Sequence, residues 1–124
     1  MTPARWLVLL GCIILFCGGL VHLLGYPHIF PVLVRAGLEP PLVGALLALW
    51  AGFSVEFLVL SPAFVWISLR PKPRNLLLFL SLIPVAMTVL MYHFIGPFIG
   101  AHMVLAGTVL LVLGAWLMPR DRAA

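Results

Sequence analysis

The chain has 124 residues, of which 65% are apolar and 8% charged, and its mean hydropathy is +1.26. A soluble domain carries about 25% charged residues, so there is too little charge here to cover a surface in water. That excludes a soluble enzyme, a disordered chain and a nucleic-acid binder, and leaves an all-α integral membrane protein.

A bilayer core about 30 Å thick takes about 20 helical residues to cross. Four apolar stretches reach that length, at 6–24, 42–69, 75–95 and 98–118, and they predict a single membrane domain. The first holds Cys12 and Cys17, which five helical positions set about 140° apart, a poor geometry for a disulfide. Both read as small apolar residues. The run Leu9-Leu10-Gly11-Cys12 is preceded by only about five apolar residues, too few for a lipoprotein signal. No small-residue cleavage site follows the stretch, so it is read as a span rather than a signal peptide.

The loop at 25–41 is apolar through Ile29, Phe30, Val32, Leu33 and Val34. It predicts a short helix in the outer interface, with Pro31 in its first turn and Gly37 at its end. The second span is roughly 42 Å long if wholly helical, so it should tilt or bend at Ser61-Pro62. A basic loop at 70–74 leads to the third span, and a Gly96-Pro97 turn leads to the fourth.

Charge placement predicts the orientation. Arg5, Arg70, Lys72, Arg74, Arg120 and Arg122 fall on one side of a four-span arrangement, and Arg35 alone falls on the other. Basic loops stay in the cytoplasm, so both termini should face it, in an inner membrane. Trp6, Trp66 and Trp116 at that side, with Tyr26 and Tyr92 opposite, form the expected interfacial belts.

Small residues predict how the spans associate. Gly11, Gly18 and Gly25 recur every seven residues in the first span, as do Gly100, Gly107 and Gly114 in the fourth. Gly44, Ala48 and Gly52 form a third strip, spaced by four. Close packing of such strips yields a compact four-helix bundle, with one seam also able to serve a second copy of the chain. His22-x-x-Gly25 and His93-x-x-Gly96, each followed closely by proline, hint at a parallel repeat of two hairpins.

Four polar residues stand where lipid disfavours them. Glu56 is the only acidic residue inside a span, and a charged carboxylate at the bilayer centre costs on the order of 3 kcal/mol. It should therefore face the bundle interior, protonated, and bonded to Ser54, Thr88, a carbonyl or water. Its functional reading is a proton-handling or ligand-binding group; the alternative is a neutral acid that holds helices together.

His22, His93 and His102 come from three spans and all lie in the outer half, with His28 in the adjoining loop. Three imidazoles at one level are candidate metal ligands, and two are candidate haem ligands, while Met91 and Met103 nearby suit copper(I). The structural alternative is that histidines in a last helical turn simply favour the helix dipole and the polar interface. Glu56 lies roughly 21 Å below the outer end of its span and His102 roughly 7 Å below its own. They define two sites or one elongated cavity.

Three functions follow as expectations. The first is a binding protein holding a small apolar ligand, quinone, haem or metal near the outer leaflet through His22, His93, His102 and Glu56. The second is a proton-coupled carrier or channel component working through Glu56. The third is an accessory or assembly subunit without chemistry of its own.

Overall fold

A computed structural model describes residues 1–120; Arg122, which belongs to the charge pattern above, lies outside the described residues. The described chain is all helical, and four stretches are long and apolar enough to cross a membrane: Pro3–Leu24, Pro40–Ser68, Arg74–Phe94 and Ile99–Trp116. The protein is a multi-pass membrane protein of four spans.

The first span is one helix, α1 (Pro3–Leu24), with Pro3 in its first turn and the Thr2 hydroxyl accepting from the Arg5 amide. Such a cap satisfies one of the donors left free at a helix start. The loop at 25–41 forms a short helix, α2 (Tyr26–Arg35), and none of its residues is buried. It starts at Tyr26 rather than near Pro31, because Pro27 takes the first-turn position and Pro31 falls inside the helix. Gly37, with φ of 69°, follows just beyond its end in the left-handed region.

The second span is α3 (Pro40–Ser68), which continues through Pro62 as a single helix. At about 43 Å it is longer than a bilayer core, so it tilts or protrudes. The third span is interrupted at Ser81, into α4 (Arg74–Leu80) and α5 (Leu82–Phe94). The cause is Pro84, which has no amide to give the Leu80 carbonyl; nearby, the Ser81 hydroxyl donates to Leu78 at 2.8 Å. Gly96, at φ 90°, ends α5 by donating its amide to the Met91 carbonyl. The fourth span is α6 (Ile99–Trp116).

Without a hydrophobic drive between helices in lipid, close packing holds the spans together. α1 is the central helix, with α6 on one side and α3 on the other. Along the α1–α6 seam a Cβ on Gly11 would stand 2.6 Å from the Gly107 carbonyl oxygen, and one on Gly114 2.8 Å from that of Ala4. Val8, Leu15 and Leu111 fill the same seam and are fully buried. Exposed apolar side chains such as Phe79 (68%) and Phe94 (76%) point the other way, as lipid-facing groups do.

The strip Gly44, Ala48 and Gly52 is not a packing seam of the bundle. All three residues are exposed, and a Cβ on either glycine would meet nothing within 4 Å. α3 packs instead through Ser54, Ser61 and Ser68, spaced by seven and all buried. Gly19 of α1 fits against the Ser54 carbonyl, where an added Cβ would approach to 3.0 Å. Serine is small enough to let helices approach as glycine does.

α5 packs on α6, where the Thr88 hydroxyl donates to the Pro84 carbonyl at 2.8 Å and lies 3.4 Å from that of Thr108. α4 touches both α6 and α3, whereas α5 has no comparable contact with α3. The bundle is therefore closed at the end carrying Arg5, Arg70 and Arg74 and open between α3 and α5 at the other. That opening is a cleft lined by α1, α3, α5 and α6.

Candidate functional site

Only one of the histidines enters the cleft. His22 lies in the last turn of α1, and its ring stacks on Trp50 of α3, with centroids 3.9 Å apart and planes 18° from parallel. Its Nδ1 is 2.9 Å from the Ser54 hydroxyl, and its main-chain carbonyl accepts from the Trp50 indole N–H at 2.9 Å. That carbonyl, in the last turn of α1, also accepts the Gly25 amide at 3.1 Å, so the indole is its second donor. The chain thus uses one tryptophan to cap a helix end and to clamp the ring beside it.

This clamp leaves a single polar atom open. Nδ1 is taken by Ser54, whose hydroxyl also lies 3.4 Å from the Trp50 carbonyl. Nε2 has no hydrogen-bond partner among the described residues, and it is not sealed from its surroundings as Ser61 Oγ is. With the serine proton on the Trp50 carbonyl, Nε2 offers a lone pair; with that proton on Nδ1, it offers an N–H. In both tautomers His22, which lines the cleft, keeps one directional polar group without a partner among the described residues.

The walls around it are apolar. One lobe of about 220 Å³ is lined by Phe53, Phe57, Met91, Met103 and Val104 together with His22 and Trp50. An adjoining lobe of about 420 Å³ shares His22, Trp50, Phe53 and Met91 and extends to Leu46, Leu49 and Ile95. Two glycines border the first lobe. Gly18 has open space where its side chain would be, while the Phe98 ring lies over Gly100. Volumes of this order match small-ligand sites, which are mostly apolar with a few fixed polar groups.

The other sequence candidates lie elsewhere. His102 is exposed and pairs through Nδ1 with the Tyr92 hydroxyl, bridging α6 and α5. His93 is exposed and stands edge-on to the neighbouring Phe94 ring, and His28 is exposed on α2. Among the described residues no group of three His, Cys, Asp or Glu gathers where it could hold a metal ion. His22 does share its lobe with the thioethers of Met91 and Met103.

Glu56 is half-buried, and the partners expected for it are engaged elsewhere: Ser54 with His22, and Thr88 with Pro84 and Thr108. It forms no hydrogen bond or ion pair among the described residues. Leu49, Phe53 and Glu56 follow at spacings of four and three, so they share one face of α3. The first two line the cleft, but Glu56, up to two turns further along α3, is not part of the lining of either lobe.

Trp50 and Ser54 carry the site, and neither stands out by residue type. A signal for Trp50 is its depth. Tryptophans of a membrane protein collect at the interfaces, and this one lies in the eleventh position of α3, where its indole N–H needs a partner. No protein family, no curated protein and no solved structure matches this chain. Fold and cleft are the grounds on which its function is argued.

Proposed function

We propose that the protein binds a small apolar molecule bearing one oxygen function, of the quinone type, in the outer cleft. The observation that carries this reading is His22, clamped by Trp50 and Ser54 with Nε2 open to an otherwise apolar cavity. Nε2 would bond the ligand oxygen, the aromatic walls would take its ring, and the gap between α3 and α5 would admit it from the lipid. The positive-inside bias supports placing this cleft in the outer leaflet of an inner membrane, with both termini cytoplasmic.

Trp50 is a built-in reporter. Titrating the purified protein with a short-chain quinone should quench its fluorescence saturably. Gly18→Phe should abolish that quenching by filling the lobe, and His22→Ala should weaken it by about tenfold, the value of one hydrogen bond to a desolvated partner. Equal quenching in wild type and Gly18→Phe would refute the site. Elemental analysis and a copper(I) titration of the same preparation test the metal form of the reading, in which Met91 and Met103 join His22.

A second reading rests on Glu56. A half-buried carboxyl inside a membrane span, without a partner among the described residues, suits a proton-coupled carrier. In reconstituted vesicles, Glu56→Gln should then abolish pH-driven uptake while the protein remains folded. Uptake that persists in Glu56→Gln removes this reading and leaves the binding reading untouched.

A further inference from the structure

The opposite end of the bundle holds a second cavity of different chemistry. It encloses about 730 Å³ between the start of α1, the loop joining α3 to α4, and the chain leaving α6. Arg5, Arg70, Lys72 and Arg120 all line it, together with Thr2 and Met118. Four cations from three separate parts of the chain converge on one space. No carboxylate shares it among the described residues, where Glu39 stands at the N-terminus of α3 and Glu56 lies midway along it.

We infer that this cavity is a binding site for a phosphate-bearing anion, read as the head group of an anionic phospholipid. Three observations bear on it. First, the charges are uncompensated: Arg5, Lys72 and Arg120 form no ion pair or hydrogen bond through their side chains among the described residues. Like charges held around one cavity repel, and a bound anion removes that repulsion. A basic loop that served only to orient the chain in the membrane needs no convergence.

Second, the site lies at head-group depth. Trp6, Trp66 and Trp116 are all more than half exposed around this end, as belt tryptophans are. Arg70 lies over the Trp66 ring at 4.0 Å and Arg74 over the Trp116 ring at 5.0 Å. The aromatic belt thus fixes two guanidinium groups at the level where lipid phosphates run. Third, α1 begins at the cavity, and Thr2 and Arg5 from its first turn are part of the lining. The positive end of a helix that long favours a phosphate beside it.

The size fits a head group with its glycerol. Basic pockets between spans bind anionic lipids by this chemistry, with each cation contributing near the surface. Phosphate oxygens would accept from Arg5 and Arg120, with Lys72 as a mobile point charge beside them.

Native mass spectrometry of the full-length protein tests the site, with phosphatidylglycerol and phosphatidylcholine of the same acyl chains, and with inorganic phosphate as a third probe. Wild type should retain phosphatidylglycerol over phosphatidylcholine, with an affinity that falls as salt rises. The double variant Arg5→Gln/Lys72→Gln should lose about 25-fold, roughly fivefold for each cation removed. Arg5→Lys/Lys72→Arg keeps the charge and should keep binding, and Arg35→Gln, at the other end, should bind as wild type does.

Inorganic phosphate bound in place of lipid, and lost in the double variant, would show that the anion comes from solution. Phosphatidylcholine retained as well as phosphatidylglycerol, or a double variant that binds like wild type, overturns the inference. If the double variant does not fold, Arg120→Gln alone should still lose about fivefold, and no loss there is equally decisive.

Discussion

The α1–α6 seam and the cleft that holds His22 are built from the same kind of residue and do opposite things. Along the seam, Gly11, Gly107 and Gly114 let two backbones meet, and any side chain there would strike the neighbouring helix. Seven residues after Gly11, on the same face of α1, Gly18 meets nothing and borders a cavity. The difference lies in the partner helix. α6 stays against α1 past Gly107, but toward its start Met103, Gly100 and Phe98 border the cavity instead of filling it. A missing side chain therefore makes contact in one place and volume in the other, and the geometry of the neighbour decides which.

The largest expected effect comes from forcing the seam open. Gly11→Ala sets a methyl 2.6 Å from the Gly107 carbonyl oxygen and 2.8 Å from the Leu111 amide nitrogen, both main-chain atoms of a packed helix. Neither can turn aside as a flexible side chain would. Overpacking costs about 1–3 kcal/mol, partly offset by the better helix propensity of alanine. Unfolding of the purified protein by a denaturing detergent should show a net loss of about 1–2 kcal/mol. A variant as stable as wild type would mean that the two helices are not in contact at Gly11.

His22→Ala should have a similar effect on stability and, unlike Gly11→Ala, a large one on binding. It removes a stacked ring pair and the bond to Ser54, together about 1–2 kcal/mol, but keeps the main-chain bond from Trp50. Ser54 is left able to bond within its own helix, so no buried polar group is stranded. Ser54→Ala should cost less, about 0.5–1.5 kcal/mol, while freeing the imidazole to rotate. If the two variants unfold alike and neither changes quinone quenching, the clamp has no part in binding.

The spans were legible because scarcity of charge and length of apolar run are properties of sequence alone. So was the α1–α6 seam, because glycine at seven-residue spacing needs no knowledge of a partner. The face of α3 was not. Its glycine–alanine strip and its serine heptad are both sets of small residues at helical spacing, and only the neighbouring helix distinguishes the buried one. The candidate site divided in the same way. His22, His93 and His102 share a depth, which sequence shows, but on helices of different rotation, which it does not. Trp50 and Ser54 decided which histidine is held in the cleft, and their role depends on a contact across 28 and 32 residues.

The smallest expected effect is the sharpest test of the contrast, because it repeats one substitution two turns further along the same helix. Gly18→Ala adds the same methyl as Gly11→Ala but into open space, at a helical position with ordinary backbone angles. Nothing is displaced, and alanine is favoured over glycine within a helix by about 0.5–1 kcal/mol. The variant should therefore be slightly more stable than wild type, opposite in sign to its counterpart at Gly11. A methyl also occupies only a small part of a 220 Å³ lobe, so quinone quenching should weaken modestly where Gly18→Phe removes it. Equal destabilisation by both alanines would mean that α6 follows α1 as far as His22 and that the cleft is closed. Opposite signs require the bundle to part between these two glycines, because intrinsic propensity favours alanine at both and only the neighbouring helix can reverse it.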